Sequence, residues 1–228
     1  MDPKRLFDFL AASPSCYHAV QALSDRLTQE GYTQLHEADA WTLTAGGKYF
    51  VTRNGSSLLA FRVPAGAPAG FLMAAAHTDS PTFKIKHNPE KKAGPYVQLS
   101  TEKYGGMLMG TWFDRPLSVA GRVVTAKDGK LETKLVDVDR DLLVIPSVAI
   151  HMNRAANDGI KLMANVDTLP LYGMQEAAGS FRGVVAAAAG VKEDEILGED
   201  LSLYVRTRGT VFGAKDEFVL APRLDDLG

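Results

Sequence analysis

The chain has 228 residues, 46% of them hydrophobic, and a formal net charge of −2. That length suits one large domain or two small ones, and the near-balanced charge excludes a general electrostatic pull toward nucleic acid or an anionic membrane. A single cysteine, Cys16, excludes an intrachain disulfide and points to a reducing compartment.

The opening stretch MDPKRLFDFLAASPS holds a short apolar segment broken by Asp8, unlike the uninterrupted core of a secretory leader. Asp2-Pro3 starts a helix, with a capping carboxylate and then a proline in the first turn. Leu6, Phe9 and Leu10 share one face of it. Ser13-Pro14-Ser15 ends that helix and can cap a second, in which Val20, Leu23 and Leu27 recur at helical spacing until Gly31 stops it. The period then changes. KYFVT and SSLLAFRV flank Arg53-Asn54-Gly55, a hairpin with an Asn-Gly turn. PAGAPAG is a loop. FLMAAA, residues 71–76, is continuously apolar and is expected to be a strand buried on both faces.

From about Lys84 to Val211 the chain runs in short alternating segments: YVQLST, AGRVVTA, LETKLVDV, DLLVIPSVAI and LSLYVRT. Asp128-Gly129 is a turn between two of them, and FRGVVAAAAGVKEDEILG is the helical interlude. DEFVLAPRLDDLG supplies a short apolar strand and a charged turn. The chain reads as an α/β front, a β-rich middle and a return to something else. No run reaches the roughly 18 apolar residues needed to cross a bilayer, so a soluble, cytoplasmic protein is expected.

Two places carry chemistry. In α/β sheets ligands bind beyond the carboxyl ends of strands, where His77 falls. In an extended chain His77 and Asp79 point the same way. One imidazole nitrogen can then bind a metal while the carboxylate accepts from the other and fixes the tautomer. The plain alternative is a strand-end histidine beside a surface aspartate. Asp225 and Asp226 follow the last apolar strand and can ligate a cation, or can form a solvated turn with Arg223 as counter-charge. No Cys-x-x-Cys, phosphate loop, Gly-x-Ser-x-Gly elbow or basic–aromatic array competes with them.

The blocks SPSCYHAV, KYFVTRNGSSLLAF, AAHTDSP, YGGMLMGTWFDRPLSVAGRV, IPSVAIHMNR and DEFVLAPRLDDL run in order from residue 13 to the last residues. Together the sequence resembles the aspartyl aminopeptidases, cytoplasmic zinc metallopeptidases that remove N-terminal residues. The resemblance implies a mixed-sheet α/β catalytic domain (1–84), interrupted by an inserted β-rich dimerisation domain (85–213) and resumed at 214–228. It implies two divalent ions, typically zinc. His77 would bind one, Asp79 would orient His77, and Asp225 would bridge the pair. Asp226 is left out, because many members have asparagine there. His151, in AIHMNR, matches a histidine that the insert presents to a neighbouring subunit's active site, its alternative being an ordinary β-domain histidine. The resemblance further implies a preference for acidic N-terminal residues, as is usual in that family, and homo-oligomers.

The resemblance also implies that the general-base glutamate, an adjacent metal-binding glutamate, another carboxylate and a final histidine follow the RLDD block. The chain is therefore expected to be the N-terminal part of a longer enzyme and to be inactive by itself. The competing expectation is a non-catalytic oligomerisation module.

Overall fold

The structure is a computed structural model that describes residues 2–225. Asp226, the second of the paired aspartates, lies outside the described residues. The α/β class expected from the sequence is the class found. The chain divides into two compact units: residues up to Ser80 together with those from Gly209 onward, and Pro81–Arg208.

The first unit opens with two helices. In α1 (Pro3–Ala12) the Asp2 carboxylate accepts from the Lys4 N–H at 3.0 Å, satisfying a donor that the helix cannot use itself. In α2 (Cys16–Gln29) Ser15 is the cap, and its hydroxyl lies 2.8 Å from His18 Nδ1. Leu10 and Ala19 are buried between these helices, with Leu6, Phe9 and Ala221 packed on them. A three-stranded sheet follows, in which β1 (Thr33–Leu35) runs parallel to β2 (Lys48–Arg53). β2 pairs antiparallel with β3 (Ser57–Arg62). Asn54 and Gly55 both have positive φ, 54° and 64°, which is why that dipeptide closes the hairpin. β1 is too short to show a period, and the sequence gives no sign of it.

The second unit is a six-stranded sheet of order β7-β6-β9-β4-β5-β8, antiparallel throughout. Its strands are β4 (Thr82–Ala93), β5 (Tyr96–Tyr104), β6 (Leu117–Lys127), β7 (Lys130–Asp137), β8 (Leu171–Met174) and β9 (Gly198–Val205). A single helix, α3 (Phe181–Ala189), lies between β8 and β9 in the chain. Its Phe181 and Val185 join Phe83, Leu99, Leu117, Val123, Val136, Leu201 and Leu203 in one core. Glu90 accepts from the Phe181 N–H at 2.8 Å and from the Gly179 N–H, so a carboxylate sits at the electropositive start of α3. The helical interlude ends sooner than its sequence suggests. Gly190 terminates α3, and Glu193–Glu195 form only a 3₁₀ turn.

DLLVIPSVAI is not the strand that its alternation predicts. Only Leu143, Val144 and Ile145 make isolated bridges, to Leu117, Leu171 and Phe113. Pro146 has no N–H to continue a ladder. In the first unit, β10 (Thr210–Phe212) and β11 (Phe218–Leu220) then form a hairpin.

The run FLMAAA departs most from expectation. Residues 71–76 form no strand, and Phe71, Leu72 and Met73 are 94%, 104% and 84% exposed. A strand buried on both faces needs neighbours on both sides, and among the described residues nothing covers this one.

Candidate metal centre

His77 directly follows this run. The next residue ties it down: the Thr78 hydroxyl donates to the Ser56 carbonyl, at the β2–β3 turn, at 2.7 Å. The chain then folds Asp79 back onto the histidine. The Asp79 carboxylate lies 3.0 Å and its carbonyl 2.9 Å from His77 Nδ1. Two acceptors on Nδ1 favour the ring proton there, the tautomer whose Nε2 lone pair can bind a cation. The opposite edge faces Asp225, whose Oδ1 is 3.8 Å from Nε2.

That 3.8 Å is too long for a hydrogen bond. It does suit two donors to one ion, because atoms about 2.1 Å from a tetrahedral zinc lie about 3.4 Å apart. The imidazole and carboxylate also suit zinc chemically. The residues present fit a divalent metal as part of a ligand set. Among the described residues no group of three or more His, Cys, Asp or Glu side chains could hold one. A cleft of about 510 Å³ in the same unit, lined by Arg26, Tyr32, Lys48 and Arg62 among others, includes none of the three residues.

Asp225 has its own anchor, which the sequence reading missed. Arg223 adopts a left-handed φ of 57° and its guanidinium donates to the Leu10 carbonyl at 2.6 Å, at the C-terminal end of α1. A cation there is favoured by the helix dipole. The sequence reading treated Arg223 only as a surface counter-charge. No periodicity links residues 10 and 223, so only the folded chain reveals the contact.

The structure thus brings His77, Asp79 and Asp225 together in the first unit. His151 belongs to the second unit, exposed on a turn closed by the Met152 N–H on the Ala149 carbonyl at 2.8 Å.

A histidine held by one carboxylate and turned toward another can serve as part of a metal-ligand set. Comparison with known proteins identifies the family. Residues 9–228 match the family described as Aminopeptidase I zinc metalloprotease (M18). The chain is 44% identical over 233 residues to "Probable M18 family aminopeptidase 2" of Clostridium acetobutylicum, covering 98% of this chain and 54% of that protein. It superposes with a TM-score of 0.92 and 36% identity on a chain of "Cryo-EM structure of the Ape4 and Nbr1 complex", covering 97% of this chain and 47% of that one. The mApe1 dodecamer of S. cerevisiae gives 0.78 and 27%, covering 98% and 52%. The chain belongs to the M18 aminopeptidase family, as the resemblance of its sequence blocks implied. It spans about half the length of the curated relatives it matches.

Proposed function

We propose that the complete protein is a zinc aminopeptidase with two divalent ions per subunit that removes N-terminal residues from peptides, acidic ones by preference. The observation that carries this is the division of labour on His77, with Nδ1 on Asp79 and Nε2 toward Asp225, in a chain of a zinc metalloprotease family. His77 and Asp225 would be ligands. Bound zinc would supply Lewis acidity toward the scissile carbonyl and lower the pKa of the attacking water. Asp79 would keep the His77 proton on Nδ1, so that Nε2 would present its lone pair to the cation. The Asp225 carboxylate brings negative charge that offsets the cation. The general base and remaining ligands would come from the part of the relatives that this chain does not span, so these 228 residues alone would not turn over substrate.

The protein would act as a homo-oligomer in the cytoplasm. The dodecameric structure of the yeast relative supports the first statement, and the lone cysteine supports the second. No described helix is long and apolar enough to cross a membrane. The test uses aspartyl, glutamyl and leucyl chromogenic substrates with the full-length protein. Cleavage that favours the acidic pair, stops with a chelator and returns with zinc is the expected result. Chelator-insensitive cleavage would defeat the metal reading, and a preference for leucyl substrate would defeat only the acidic specificity.

A further inference from the structure

The block TWFDRPLSVAGRV has no part in the metal centre, yet one of its residues has unusual geometry. Asp114 has a φ of 55°, in the left-handed region that side chains enter at a cost. It is held there from three directions. Phe113 bridges Ile145 in parallel. The Asp114 N–H donates to the Ile145 carbonyl at 3.0 Å. The Asp114 carboxylate accepts from the Ser147 N–H at 2.9 Å. One residue therefore grips the backbone on both sides of Pro146, which cannot donate a hydrogen bond itself. The Ser147 hydrogen bonds also hold the Asp114 carboxyl below its ordinary pKa, so it stays ionised as a strong acceptor at neutral pH.

Beyond Ser147 the chain leaves the sheet. The turns that follow are closed locally, Met152 to Ala149 and Asn153 to Ile150, and His151 sits at their apex. Val148, Ile150 and Met152 around it are 63%, 46% and 80% exposed. Asp114 is thus the side-chain clamp at the root of the His151 turn.

We propose that Asp114 is a positioning residue that sets the exit direction of the turn carrying His151, and so controls how that imidazole is presented to a neighbouring subunit. The catalytic half of this rests on the reading of His151 as a group acting across subunits. An aspartate suits the position for two reasons. Its short side chain tolerates the left-handed backbone, and its carboxylate reaches the Ser147 amide, two residues past the Ile145 bridge.

Three substitutions separate those two properties. Asp114→Asn keeps the backbone preference and an acceptor, Asp114→Gly keeps only the backbone freedom, and Asp114→Ala keeps neither. The first measurement is amide hydrogen exchange at Ser147 and across 148–153, with far-UV circular dichroism to confirm that the sheet remains. Exchange at Ser147 should rise about tenfold or more in Asp114→Gly and Asp114→Ala, and little in Asp114→Asn. The second is steady-state kinetics of the full-length protein. There kcat should fall roughly ten- to a hundredfold in the glycine variant with KM nearly unchanged. Asp114→Asn should recover most of that loss, and Asp114→Gly should add little to His151→Ala. Unchanged exchange at Ser147 in Asp114→Gly overturns the clamp. Full activity in His151→Ala, with exchange raised in Asp114→Gly, overturns the catalytic half and leaves the clamp standing. Additive losses in the double variant overturn the link between the two residues.

Discussion

On the proposed reading Asp79 would serve the candidate centre by orienting His77 and not as a ligand. Its carboxylate and carbonyl both converge on His77 Nδ1. Asp79→Asn keeps an acceptor near that nitrogen but removes the negative charge beside the ring. Zinc affinity of the full-length protein should fall about 10–100-fold, read by competition with a chromogenic chelator. An unchanged affinity would mean that the backbone carbonyl alone orients the ring. A second residue-scale effect lies in the β-rich unit. Tyr204 is buried and its hydroxyl donates to Asp137 at 2.7 Å. Burial, then the Asp137 hydrogen bond and charge, push the phenol well above its ordinary pKa. The sign follows from proton linkage. The folded state holds this proton more tightly, so its stabilisation is complete below about pH 10 and is lost as pH rises through the folded-state value. Urea midpoints should drop from pH 9 to 11, and Tyr204→Phe should flatten part of that slope while lysines account for the rest. An identical slope in the variant would exclude Tyr204.

At the scale of elements, the sheet of the second unit turns on one close approach. A Cβ at Gly121 would lie 2.1 Å from the Asp200 carbonyl oxygen, across the β6–β9 pairing. No flexible side chain can yield there, because the obstruction is backbone. Gly121→Ala should destabilise the unit by about 1–3 kcal/mol or more through forced separation of the two strands. Denaturant unfolding followed by the amide signal of the sheet would show this, and wild-type stability would mean that the strands part without loss. The first unit has the opposite problem. Its run 71–76 is apolar and uncovered. An exposed apolar patch of this kind marks either an interaction surface or a liability to aggregate. The isolated 228-residue chain should therefore bind a hydrophobic dye, and Leu72→Lys should reduce that binding. Equal dye binding by the variant would place the apolar surface elsewhere.

For the whole molecule, the prediction concerns complementation between subunits. If His151 serves a neighbour's site, its removal should lower turnover of the full-length oligomer by roughly one to three orders of magnitude, the usual cost of one oxyanion donor. His77→Ala should abolish turnover by removing a metal ligand. Mixing the two variants should restore partial activity, since one mixed site regains both groups. Mixed oligomers that form without regaining activity would remove His151 from the mechanism. Oligomer formation is itself reasonable for a unit whose sheet ends in β7 and β8, because unpaired strand edges invite pairing or need covering.

The sequence by itself determined the local signals. The Asp2-Pro3 start, the Ser15 cap, the Asn54-Gly55 hairpin and the alternation of β5, β6, β7 and β9 each depend on neighbours along the chain, so pattern and turn chemistry suffice to read them. It also identified the family, because several blocks in one order are far more specific than any single motif. It singled out His77 with Asp79, whose spacing of two residues is itself local. Tertiary structure alone decided the rest. It brought Asp225 to the Nε2 side of His77, tied Arg223 to the end of α1, and folded Asp114 onto Ser147. It also reduced DLLVIPSVAI to isolated bridges and left FLMAAA uncovered. Burial and long-range pairing depend on which other segments arrive at a surface, and a local hydrophobic pattern states only that a segment can be buried.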